Sequence, residues 1–234
     1  MDTGYANPYT LVADAAPSER ATFIRNTYLH LGLAILAFIG LEWFLLQQSW
    51  APGFIAKMTG GRGWLLVLGA FMIVSWIADK LARSDASKNV QYAGLGLFVL
   101  AEAIIFMPLL YIAANYAGDS KVIMKAGITT ACIFGGLTFA AFATRKDFSF
   151  LRSFLMVGGF VAMGIIVVSI IFGFNLGTIF AGAMAIFASA SILYNTSNII
   201  HHYRTDQYVA ASLSLFSSVA LLFWYILRIF MNRR

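Results

Sequence analysis

Residues 153–203 read SFLMVGGFVAMGIIVVSIIFGFNLGTIFAGAMAIFASASILYNTSNIIHHY, with no Asp, Glu, Lys or Arg. A helix that crosses a bilayer needs about 20 mainly apolar residues. At 51 residues the run is too long for one span and right for two joined tightly. Its centre, Gly173-Phe174-Asn175-Leu176-Gly177, supplies the turn, because Gly and Asn tolerate left-handed backbone angles. The stretch predicts a hairpin of two neighbouring membrane helices.

The rest of the chain agrees. Of its 234 residues 60% are hydrophobic and only 11% charged, against about 25% charged in an ordinary soluble domain. Mean hydropathy is +0.80. One soluble core could not hide so much apolar surface. This excludes a soluble enzyme, a secreted disulfide scaffold and a disordered regulator. The net charge of +6 does not point to nucleic acid, because the basic residues mostly flank apolar stretches. The single cysteine, Cys132, has no intrachain partner.

Seven stretches are long and apolar enough to span: 27–46, 64–81, 91–113, 122–143, 153–173, 177–200 and 209–230. The predicted fold is an all-α polytopic membrane protein with seven transmembrane helices. A membrane barrel is disfavoured, since its strands would alternate polar and apolar residues. Residues 1–26 are polar and contain no cleavable signal pattern, so they are expected to form a short, mobile cytoplasmic tail. Residues 27–230 form the membrane domain, and residues 231–234 a short basic tail.

Lys and Arg set the orientation. Nine lie on the tail side (Arg20, Arg25, Lys80, Arg83, Lys88, Arg145, Lys146, Arg152 and Arg204), and four in the opposite loops (Lys57, Arg62, Lys121 and Lys125). The bias places the amino terminus in the cytoplasm. Arg228, Arg233 and Arg234 argue the other way, and would return to the cytoplasm if the last segment were re-entrant.

Polar groups inside the spans are the candidate functional residues. Glu102 sits at the centre of the third span, where an unpaired charge costs several kcal/mol. It is either a proton or cation relay, one half of a latch with a base such as Arg25 or Lys80, or a neutral acid that glues helices together. Pro108 is expected to kink this helix. Gly177, Ala181, Ala185 and Ser189 form a small-residue stripe that admits a close neighbour. Asn195 and Asn198 need partners in the bundle interior. Ser214 and Ser218 share one helix face, where they either bend the helix or line a polar path. Glu42 and Asp79 lie near span ends and are expected to reach the interface. His30, His201 and His202 do not converge with acids as a metal site requires. No span holds a central lysine for retinal, and no nucleophile pair or cofactor motif appears, so no enzyme, metal or cofactor is expected.

Two segments carry a resemblance. Ala143-Thr144-Arg145-Lys146-Asp147-Phe148-Ser149-Phe150-Leu151 resembles the loop between spans four and five of the Bax inhibitor (TMBIM) family. Ile192 to His201 resembles that family's sixth-span end, and its Thr196-Ser197-Asn198-Ile199-Ile200-His201 portion is similar to the bacterial YccA branch. Arg25-Asn26-Thr27-Tyr28 adds a weaker likeness to that branch, and residues 211–230 resemble the family's last helix. The resemblance implies a last helix surrounded by the other six. It also implies two functions. Members of the YccA branch, in the bacterial inner membrane, bind the AAA protease FtsH and modulate its proteolysis. Members of another branch form a pH-sensitive calcium leak with two interior aspartates as sensor. Here those aspartates fall at Asn195 and Ser218, which cannot share a proton as two carboxylates do. The expected function is a regulator of FtsH. The alternative is a calcium or proton-coupled cation leak without the di-aspartate sensor, with Glu102 as its one titrating group.

Overall fold

The computed structural model describes residues 10–61 and 63–232. Among them the chain forms eight helices: α1 (Pro17–Leu46), α2 (Ala51–Thr59), α3 (Gly63–Ala82), α4 (Lys88–Tyr116), α5 (Val122–Thr144), α6 (Leu151–Phe172), α7 (Gly177–His201) and α8 (Tyr208–Met231). All but α2 are long and apolar enough to cross a bilayer. The protein is an all-helical, multi-pass membrane protein with seven spans.

The hairpin expected from residues 153–203 is present. Gly173 ends α6 with φ 71° and Gly177 starts α7 with φ 68°. Both values lie in the left-handed region that favours glycine. The Phe174 N–H donates to the Ser169 carbonyl at 3.1 Å, which satisfies one of the orphan acceptors at the end of α6. Helix α4 runs on through Pro108. Helix α8 is continuous over 24 residues, or about 36 Å, which makes it a full span. The basic residues at 233 and 234 lie outside the described residues.

Helices α4 and α8 are the most enclosed of the seven. Helix α8 packs against α1, α3, α4, α5 and α7, whereas α6 packs mainly on α7. The last helix is therefore central, with α6 held off it by a cavity described below. Gly158 lets the Phe187 ring dock on α6, because a Cβ there would lie 2.9 Å from Cε2. Ala181 and Ala185 of the small-residue stripe of α7 are buried, as close packing requires.

Three features depart from expectation. Helix α1 begins at Pro17, ten residues before the apolar stretch, with Pro in its first turn and Glu19 at its positive end. Residues 10–16 are not loose. The Val12 N–H donates to the Tyr203 carbonyl at 2.9 Å and the Thr205 N–H to the Thr10 carbonyl at 3.1 Å. Val12 is fully buried, and Arg20 Nε donates to its carbonyl at 3.0 Å. Residues 1–9 of the expected tail lie outside the described residues. Helix α2 was not anticipated. Its Ala51, Ile55 and Met58 fall on one buried face, as an amphipathic helix demands.

Glu42 also departs. It does not reach the interface but is buried, with neither carboxyl oxygen hydrogen-bonded. Thr27, Leu31, Ala34, Phe38 and Glu42 are all buried on α1, and their spacing of three or four puts them on one face. That face packs against α4 and α8. Asp79 does reach the surface, where it pairs with Arg83 at 2.8 Å.

Candidate intramembrane site

The helix hairpins bring four segments together at the end of the bundle where α1 begins. These are residues 10–16 and the turns after α3, α5 and α7. Arg204 ties the turns after α3 and α7 by pairing with Asp85 and, at 3.1 Å, with Asp206. Hydrogen bonds to Asp206 and then Asp85 raise the guanidinium above its usual range.

Glu102 stands midway along α4 with 6% of its surface exposed. Its carboxyl has no hydrogen-bond or ion-pair partner among the described residues. It faces a cavity of about 560 Å³ between α3, α4, α6 and α8. The cavity extends from Glu102 and Ser217 to the α6–α7 turn and Arg228, at the end opposite the start of α1. Neither Arg25 nor Lys80 borders it. Lys80 lies 3.9 Å from the centre of the Trp76 ring, and Arg25 is exposed. The latch between Glu102 and one of these bases is absent.

Asn195, Ser214 and Ser218 do converge. Asn195 Nδ2 donates to Ser218 Oγ at 2.8 Å and to the Ser214 carbonyl at 3.2 Å. Ser191 and Ser218 hydroxyls share a bond at 2.8 Å. Ser218 also donates back to the Ser214 carbonyl at 3.1 Å. The Ser214 hydroxyl meets the Tyr203 hydroxyl at 3.0 Å and receives Arg83 Nη2 at 3.1 Å. In a low-dielectric interior such a chain of satisfied groups is rigid. It forms a plug between α7 and α8.

A second cavity, of about 470 Å³, lies beside this plug. Asn195 borders it together with Arg83, Arg152, Asn198, His202 and Tyr203. Ser217 lines the first cavity while its neighbour Ser218 belongs to the plug. Adjacent residues on a helix point in different directions, so Ser217 and Ser218 face different surroundings.

The loop motif and the sixth-span motif bind each other. The Phe148 N–H donates to Ser197 Oγ at 2.9 Å, and Ser197 Oγ donates to the Lys146 carbonyl at 3.4 Å. His201 Nε2 lies 3.1 Å from the Arg145 carbonyl, and His202 Nε2 lies 3.2 Å from Asp147 Oδ2. Arg145 closes α5 with φ 50°. The Ser149 N–H, aided by His202, holds the Asp147 carboxyl below the usual carboxylate range. Thr196 is buried with its hydroxyl unpartnered. The Asn198 carbonyl accepts the N–H groups of His202 and Tyr203 at 2.8 and 3.0 Å.

Arg83 and Tyr203 are the site residues that sequence reasoning missed. Arg83 carried a signal, since Asp79 four residues before it on one helix face makes an ion pair. Tyr203 carried none, because its contact to Ser214 depends on how the α7–α8 turn folds.

Residues 20–234 match the family described as "Inhibitor of apoptosis-promoting Bax1". An uncharacterized protein of Pseudomonas aeruginosa is 33% identical over 93% of this chain and 92% of its own length. Bax inhibitor 1 of Schizosaccharomyces pombe is 30% identical over 94% of this chain and 80% of its own. Protein LIFEGUARD 4 of Arabidopsis thaliana is 29% identical over 92% and 86%.

Proposed function

Because the chain belongs to the Bax inhibitor family, we propose that it is a membrane leak for calcium or a proton-coupled cation, with Glu102 as its intramembrane site. The observation that carries this reading is the unpaired Glu102 carboxyl facing a cavity that extends to one end of the bundle. A lone carboxylate in the membrane interior is costly. It is neutralised by a proton or by a cation arriving through the cavity, and exchange of one for the other is the elementary transport step. The Asn195–Ser191–Ser218 plug closes the remaining path. Amides and hydroxyls do not titrate near neutral pH, so the plug opens by helix movement rather than by proton loss. With the amino terminus in the cytoplasm of a bacterial inner membrane, the Glu102 cavity faces outward. Calcium entry into dye-loaded liposomes tests the reading. Entry above that of protein-free vesicles supports it, and equal rates refute it.

A second reading, modulation of the FtsH protease, has a specific support of its own. Ser197, His201 and His202 fix the Arg145-Lys146-Asp147 loop into a basic platform, a surface suited to a protein partner on the cytoplasmic side. Co-purification of FtsH with the wild-type chain, lost on reversing Arg145 and Lys146 to Glu, supports this role. Absence of FtsH from the wild-type preparation removes it.

A further inference from the structure

The cavity beside the plug has the wrong charge for a passive cation vestibule. Two guanidiniums, Arg83 and Arg152, border it, and no acidic side chain does so among the described residues. Arg83 is already held by Asp79 through two contacts of its Nε, at 2.8 and 2.9 Å, and donates from Nη2 to Ser214. Arg152, in the first turn of α6, is exposed and has no side-chain partner among the described residues. Asn198 adds a side-chain amide to the wall with no bond of its own there. His202 borders the cavity while its Nε2 is turned to Asp147 at 3.2 Å.

Size and depth narrow the ligand. A volume of about 470 Å³ is that of a small-molecule site. The cavity lies among the helix ends and turns, level with lipid headgroups rather than with acyl chains, where basic pockets between spans hold anionic headgroups. Arginine forks match the oxygens of a phosphate in paired hydrogen bonds. An unpaired guanidinium at Arg152, in a cavity with no acidic side chain in its lining among the described residues, calls for an anion.

We propose that this cavity is a binding site for a phosphate-bearing group, gripped by Arg152 and Arg83 and completed by the Asn198 amide. The phosphate has two sources of the same chemistry, a phospholipid headgroup or a free phosphate. Binding itself stands on the cavity alone. Its consequence for transport rests on the cation reading: a phosphate that engages Arg83 competes with Ser214 for Nη2, and it offsets the positive charge in front of the plug.

The test reads binding, not flux, so its failure is distinct from failure of the leak. Purified full-length protein in a non-ionic detergent is titrated calorimetrically with inorganic phosphate and, separately, with dihexanoyl phosphatidylglycerol. The expected result is saturable binding of at least one, weakened about tenfold or more by R152Q. K57Q removes the same charge from the opposite end of the bundle and leaves binding unchanged. Phosphate that the lipid does not displace assigns a free anion. Lipid that phosphate does not displace assigns a headgroup, and mutual displacement assigns the shared phosphate. Because Arg152 is exposed, R152Q elutes as the wild type does. The proposal is overturned if neither probe binds, if R152Q binds as tightly as wild type, or if K57Q weakens binding equally.

Discussion

Replacing Gly94 by Ala tests the packing of α4 against α3. An added Cβ at Gly94 would lie 2.6 Å from both the Ala78 carbonyl oxygen and the Ala82 nitrogen, and 2.9 Å from Leu81 Cβ. The first two are backbone atoms of α3 and cannot rotate away. Reaching an ordinary 3.4 Å contact moves α3 back by about 0.8 Å. Overpacking of this kind costs about 1–3 kcal/mol. At about 2–4 °C per kcal/mol for a chain of this size, Tm falls by about 2–12 °C. Gly96 is the control, because a Cβ there meets nothing within 4 Å. Both variants gain the same helix propensity, about 0.5–1 kcal/mol, so the difference between them isolates the clash. Thermal denaturation in detergent, followed by loss of the monodisperse elution peak, gives both midpoints. G94A should melt below G96A by that margin. Equal midpoints would refute the close approach of α3 and α4 at Gly94.

Other expectations follow from the same contacts. Ser197→Ala leaves the Phe148 N–H without its partner, a loss of about 1–2 kcal/mol that speeds hydrogen exchange in the α5–α6 loop by roughly 5–30-fold. Asp147 has its carboxyl pKa depressed by the Ser149 N–H and His202. Its hold on the loop is therefore present above the unfolded value, about 3.9, and is lost as pH falls through the depressed folded value. Protease sensitivity of residues 145–150 should rise in that acid window in the wild type. In D147N the loop should already be sensitive at neutral pH and gain little on acidification. Arg20→Gln removes the donors to the Val12 and Ala13 carbonyls and should expose residues 10–16 to limited proteolysis while the seven spans stay intact. Unchanged cleavage would mean that the pairing with the α7–α8 turn holds that segment unaided.

The spans were legible because lipid imposes a simple rule of length and polarity. The plug was legible in part. Asn195 needed an interior partner, and Ser214 and Ser218 lay on one face of the last helix. Their meeting with Ser191 then followed once α7 and α8 paired. Glu42 shows where the reading stopped too early. Its distance from the helix end suggested the interface, yet its spacing from Phe38 and Leu31 already placed it on the packed face. Residues 10–16 were not legible, because main-chain pairing with Tyr203 and Thr205 leaves no side-chain pattern beyond the buried Val12 and Ala15. The cavity facing Glu102 could not be read either, since it arises where α6 leans on α7 instead of on α8.

Calcium entry into liposomes carrying equal amounts of wild type and Glu102→Gln, both monodisperse and of equal Tm, tests the cation site most directly. Glutamine keeps the shape of the side chain and removes its charge. E102Q should lower entry about tenfold or more, the effect of losing one charged ligand. Equal entry by the two proteins would contradict it and leave Glu102 as a structural acid.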